Sequence, residues 1–137
     1  MARSITDEIL EVIQTSVRDV RVFDGVPATN LKDRPPVHVI VTMPGGRTEY
    51  NYLADGPPAT WLTFQTMVVV RSGPGVPPAR MGRVARQTCE RIKNALFAWR
   101  RPNTSRVEHL VERASTDAPG IASHEVFTIV SQFRVRT

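Results

Sequence analysis

The sequence predicts an α+β fold: a mixed, mainly antiparallel sheet packed against two helices in a single domain spanning residues 1–137. Three observations predict it. Two segments, near 4–17 and 79–99, repeat apolar residues at helical period. Several other segments alternate apolar and polar residues and are bounded by Gly- and Pro-rich turns. The strand segments also come in runs rather than in strict alternation with helices, which favours α+β over α/β. A length of 137 residues suits one domain with a modest core.

Each element has its own local reason. Ser4 is a plausible N-cap, with Asp7 and Glu8 in the first turn where the helix dipole favours acids. Ile5, Ile9, Ile13 and Val17 then form a stripe widened by Leu10. Asp19 to Phe23 is a short strand, ended by the turn Asp24-Gly25-Val26-Pro27, and a polar loop follows to Pro36. Val37 to Met43 alternates, with His38, Ile40 and Thr42 on its second face. Pro44-Gly45-Gly46-Arg47 reads as a turn and Thr48 to Leu53 as a returning strand, so 37–53 is expected to be a hairpin. After the break at 54–59, Thr60 to Arg71 is the longest strand. It places Leu62, Phe64, Val68 and Val70 on one face and Trp61, Thr63, Gln65 and Met67 on the other.

Ser72 to Pro78 stops that strand. The second helix carries Met81, Ala85, Cys89, Ile92, Leu96 and Trp99 on its apolar side, and Pro102 ends it. A strand from Arg106 to about Ser115, a turn at Asp117-Ala118-Pro119-Gly120 and a strong strand from Glu125 to Arg136 complete the chain. A strand of that strength is expected beside an interior strand, because a free edge invites aggregation.

Composition narrows the function classes. Hydrophobic residues make up 41% and charged residues 23%, too apolar for a disordered chain. No stretch approaches the roughly 20 apolar residues of a membrane helix, and the N-terminus has no apolar leader, so no membrane partner is expected and a cytoplasmic start is. Cys89, the one cysteine, sits in the helical stripe and reads as a small buried hydrophobe. The net charge is +5. Its one concentration is Arg80, Arg83, Arg86, Arg91, Lys93, Arg100 and Arg101, opposed locally by Glu90. That helix reads as a solvated face, a track for DNA phosphates, or a partner for acids of a neighbouring subunit.

No catalytic, cofactor or metal site is expected. His38, His109 and His124 are isolated from one another and from cysteine, without metal-ligand spacing. There is no G-x-S-x-G elbow. Gly73-Pro74-Gly75 and Gly45-Gly46 are too short to cradle a phosphate, and Pro74 lacks the amide such a loop uses. Trp61 reads equally as an interface anchor or a core residue, whereas Trp99 reads as core. Pro74, Pro77 and Pro78 stiffen their loop and reduce the entropy lost on docking.

The ordered pattern resembles the tail-terminator, or tail-completion, proteins of long-tailed bacteriophages. Those proteins open on an amphipathic helix followed by a segment like Val22-Phe23-Asp24-Gly25-Val26-Pro27. A proline-ended loop then precedes a strand like Pro36-Val37-His38-Val39-Ile40-Val41. A long strand like Leu62 to Val70, a helix like Ala79 to Trp99 and a final strand like His124 to Val135 follow. The resemblance lies in order and pattern over nearly the whole chain rather than in one motif. It implies a homohexameric ring, assembled in the host cytoplasm, that caps the head-proximal end of the tail tube in the virion. Its partners would be the tail tube protein and a head-completion or neck protein, with genome DNA passing through unbound. Such a function is geometric rather than catalytic. The alternatives are another neck component, such as a head-completion or stopper protein, and a basic nucleic-acid-binding module. Trp61, Arg80, Arg83, Arg86, Pro74, Pro77 and Pro78 are the candidate subunit or ring contacts.

Overall fold

The backbone amide of Asp7 donates to Ser4 Oγ at 3.2 Å, so the capping serine starts helix α1 (Ile5–Ser16) as its sequence position requires. In the computed structural model, which describes residues 4–43, 46–49, 59–73, 75–115 and 126–136, α1 is followed by β1 (Arg21–Asp24), β2 (Val37–Thr42), β3 (Gly46–Glu49) and β4 (Ala59–Arg71). Helix α2 (Met81–Ala98), β5 (Glu108–Ser115) and β6 (Val126–Arg136) complete it. The strands form one six-stranded sheet in the order β1-β2-β4-β6-β5, with β3 also on β4. One pair, β1 with β2, is parallel and the others are antiparallel. The α+β expectation therefore holds.

The core lies between one face of the sheet and both helices. Ile9, Ile13 and Val17 from the first helical segment meet Ala85, Cys89, Ile92 and Leu96 from α2. Beneath them sit Val39, Val41, Leu62, Phe64, Val68, Val70, Ile129, Phe133 and Val135. The alternation read from β4 is the alternation observed, because successive side chains of a strand point to opposite faces. The rings of Phe64 and Phe133 stack at 5.3 Å in the middle of this layer. The C-terminal strand β6 runs between β4 and β5, so a strongly apolar strand is kept off the sheet edge.

The expected hairpin over 37–53 does not form. Both β2 and β3 pair with β4, β2 against Gln65–Val70 and β3 against Ala59–Leu62. Thr42 faces Gln65 and Gly46 faces Leu62. β2 and β3 both run antiparallel to β4 and so run in the same direction, without the reversal a hairpin needs. The physical reason is the length of β4, whose 13 residues span the ladder of both segments. Residues 50–53 of the expected strand, the turn at 117–120 and His124 lie outside the described residues.

The opposite, helix-free face is covered at one end by the chain between Gly25 and Pro36. The Gly25 amide donates to Val41 O at 2.8 Å, the Arg71 amide to Pro36 O at 2.7 Å, and Arg71 Nη2 to Arg34 O at 2.9 Å. Arg34 in turn donates to Thr29 O at 2.9 Å. Beneath that segment His38, Ile40 and Val69 are buried on the face away from the helices. His38 meets Phe23 edge-on at 5.7 Å. A segment that read as a polar loop is thus pinned to the sheet by backbone and arginine hydrogen bonds.

Candidate functional site

The structure separates the candidate contact residues into two places. The first is the turn into α2. Gly73 and Val76 exchange both backbone hydrogen bonds, at 3.0 and 2.9 Å, which closes a tight loop after β4. Gly75 takes φ +84°, a conformation that favours glycine. Pro77 and Pro78 are exposed, and Pro78 begins a 3-10 turn to Arg80 that leads directly into α2. Pro74 lies outside the described residues.

Arg80, Arg83 and Arg86 follow on the exposed surface of this first stretch of α2. Arg80 and Arg83, and Arg83 and Arg86, are each three residues apart and so neighbours along the helix surface. The helix begins with no side-chain cap and no acid in its first turn. Arg80 and Arg83 therefore stand at the positive end of the helix dipole, which costs a few tenths to about 1 kcal/mol each. Among the described residues none of the three makes an ion pair.

The other cations of this region are committed. Arg91 Nη2 meets Asp19 Oδ1 at 2.5 Å, and that hydrogen bond holds the Asp19 carboxyl below its ordinary value. Lys93 Nζ lies 3.1 Å from Glu90 and 3.0 Å from Glu112. Burial works against the Lys93 charge, but those hydrogen bonds outweigh it and raise its pKa. Arg101 pairs with Glu8, tying the end of α2 to the start of α1.

The second place is Trp61, half-buried on the helix-free face near the start of β4. Arg134 Cζ lies 4.2 Å and Arg136 Cζ 5.8 Å from its ring centroid. Arg134 Nε also meets Glu108 Oε2 at 2.5 Å. Strand geometry puts Trp61 about 30 Å or more along β4 from the turn at Gly73. Trp61 and the α2 arginines therefore belong to different surfaces. The partners Arg134, Arg136 and Glu108 escape sequence reasoning because they depend on the β4–β6–β5 register.

One further polar cluster resembles a nucleophile site in composition only. Cys89 Sγ donates to Glu112 Oε1 at 3.4 Å, Ser131 Oγ donates to the same atom at 3.4 Å, and Lys93 shares it. Burial pushes the Cys89 thiol up, the opposite of activation. The Lys93 hydrogen bond keeps the Glu112 carboxyl low. The cluster clamps α2 to β5 and β6. Among the described residues no group of three or more His, Cys, Asp or Glu is placed to hold a metal, and no helix is long and apolar enough to cross a membrane.

An α+β sheet with both helices on one face and a basic, prolyl-stiffened turn at one end is the class of structure these residues define. No protein-family model and no curated protein matches the chain. Among solved structures, it shares its fold with a chain from the virion of a native gene transfer agent particle. That match has a TM-score of 0.59 at 15% identity and covers 95% of this chain and 89% of that one. A remoter likeness, TM-score 0.39 at 12% identity, is to a sheath/tube terminator of an extracellular contractile injection system in its extended state. It covers 100% of this chain and 58% of that one.

Proposed function

We propose that this chain is a non-catalytic structural protein of a phage-type virion and works as a tail terminator. Copies close into a homohexameric ring that caps the head-proximal end of the tail tube. The ring stops polymerisation and joins the tail to the head-completion proteins of the neck. The observation that carries this reading is the fold shared with a gene transfer agent virion chain over 95% of this chain and 89% of that one. The sequence resemblance, reached separately, points the same way.

On this reading residues 1–137 act as one domain, made in the host cytoplasm and incorporated into the virion. No cofactor or metal takes part, and genome DNA passes through without specific binding. The stiffened turn around Pro74, Pro77 and Pro78 and the cations Arg80, Arg83 and Arg86 form one docking surface toward a neighbouring ring, with an acidic protein face as its complement. Trp61, with Arg134 and Arg136 around it, belongs to a second contact. A nucleic-acid-binding role is the alternative that a specific observation favours, namely the same three arginines without acidic partners among the described residues.

The test is light scattering of the purified protein with and without purified tail tubes, with electron microscopy of the tube ends. Ring-sized particles at tube ends, lost in the Arg83→Glu/Arg86→Glu variant, are expected. A protein that ignores tubes but binds heads would be another neck component. One that ignores both and binds DNA with steep salt dependence would be a nucleic-acid module.

A further inference from the structure

The sheet has two edges, and they differ in kind. β1 is short, at 4 residues, whereas β5 is 8 residues long and exposed along its whole length. Among the described residues β5 pairs with β6 alone. Leu110 and Val111, at its centre, are 42% and 43% exposed. Two large apolar residues therefore stand on one open edge, a liability that native sheets usually suppress.

The sequence across that edge, Glu108-His109-Leu110-Val111-Glu112-Arg113, complements itself when reversed. Laid antiparallel on a second copy about a two-fold axis between Leu110 and Val111, it sets Glu108 against Arg113 and His109 against Glu112. Leu110 then meets Val111. Cross-strand partners must share a face, and in an unbroken strand residues 108 and 113 point to opposite faces. The β-bulge between His109 and Val111 removes that conflict. Glu108 lies opposite Arg134 and Arg113 opposite Val130, both on the helix-free face. His109 lies opposite Phe133 and Glu112 opposite Ser131, both on the helix face. Both pairs consequently match face to face, Glu108 with Arg113 by opposite charge, with the helices of the two copies on the same side. The pairing also extends a charge row already present, since Arg134 meets Glu108 at 2.5 Å and Glu108 would then meet the second copy's arginine at the same register.

We propose that β5 is a self-association edge, and that free chains pair through it as two-fold dimers with antiparallel β5 strands. This edge carries charges of both signs, Glu108, Glu112 and Arg113, around an apolar centre, so a second copy can set opposite charges against them. The contact is small, so the dimer is concentration-dependent and weakened by salt. It goes beyond the terminator reading, whose ring needs a different, head-to-tail interface, and it stands or falls without tail tubes.

The experiment is sedimentation velocity of the full chain across a concentration series at low salt, with Glu108→Arg and Arg113→Glu variants. Thermal melting checks that each variant folds. Each substitution alone places like charges opposite one another at both ends of the contact. Each should raise the dimer dissociation constant about tenfold or more. The double variant restores complementarity and should dimerise again. Mixing the two single variants should give heterodimers, because the arginine-only edge of one matches the glutamate-only edge of the other. A wild-type chain that stays monomeric throughout, single variants that associate like wild type, or a mixture that stays monomeric each overturns the proposal. Tube capture by a chain that does not dimerise would remove the edge inference and leave the terminator reading standing, and a dimer that ignores tubes would do the reverse.

Discussion

His38 is the residue whose titration most directly couples to folding. Its imidazole is fully buried, and Nδ1 lies 3.0 Å from Pro35 O, which assigns the proton to Nδ1. Among the described residues Nε2 has no hydrogen-bond partner. Burial lowers its pKa, outweighing the Pro35 hydrogen bond that raises it, and the Arg34 and Arg71 guanidiniums lower it further. The imidazole also meets the Phe23 ring edge-on at 5.7 Å, with Arg21 Cζ 5.2 Å from that ring's centroid. The unfolded chain, with an ordinary value near 6.5, therefore binds the proton at a pH where the folded chain does not. Stability from neutral His38 is present above that pH and declines as the pH falls toward the depressed folded value. The slope approaches one proton, about 1.4 kcal/mol per pH unit. The assay is urea unfolding from about pH 7.5 to about pH 5.5 for wild type and His38→Gln. The glutamine chain should start less stable, because it loses the Phe23 contact, and should show a flatter pH dependence. Parallel curves for the two chains would refute the reasoning and place the titration elsewhere.

The remaining expectations concern the core, the thiol and the start of α2. Phe133→Ala removes a buried ring stacked on Phe64, and equilibrium unfolding should show a loss of about 3–5 kcal/mol. Cys89 is buried and its thiol pKa raised, so iodoacetamide should label it slowly in the folded chain at neutral pH and rapidly in denaturant. Arg80→Glu replaces a cation at the positive end of a helix by an acid. Thermal melting should show a gain of a few tenths to about 1 kcal/mol, while capture at tube ends weakens.

The elements that could be read from the sequence are those whose cause is local. Ser4 with Asp7 and Glu8, the isoleucine stripe of α1 and the alternation of β4 each state their structure within a few residues. The reading failed at Pro44-Gly45-Gly46, where a local turn signal competed with a distant fact, the length of β4. The parallel pairing of β1 with β2 was likewise invisible, since nothing in Arg21–Asp24 announces the direction of its neighbour. At the candidate site the row of arginines could be read from spacing alone, but not which of them were satisfied. Arg91 finds Asp19 across 72 residues of sequence and Lys93 finds Glu112 across 19. Trp61 acquires Arg134 and Arg136 through the β4–β6 register.

That division of the cations supports an assembly role more strongly than net charge does. Arg91, Lys93 and Arg101 each join α2 to another element through an acid and so explain themselves as parts of the fold. Arg80, Arg83 and Arg86 make no ion pair among the described residues, and the first two stand where the helix dipole disfavours them. Folding alone would be better served there by a cap and an acid. A chain that keeps three such residues beside a rigid turn carries a small folding cost that a binding partner can return, because an acidic face laid on that end satisfies the arginines and the dipole together. Substitutions there should therefore separate stability from assembly, moving the two in opposite directions. Substitutions at Phe133 or Ile92, which lie in the shared core, should lower both.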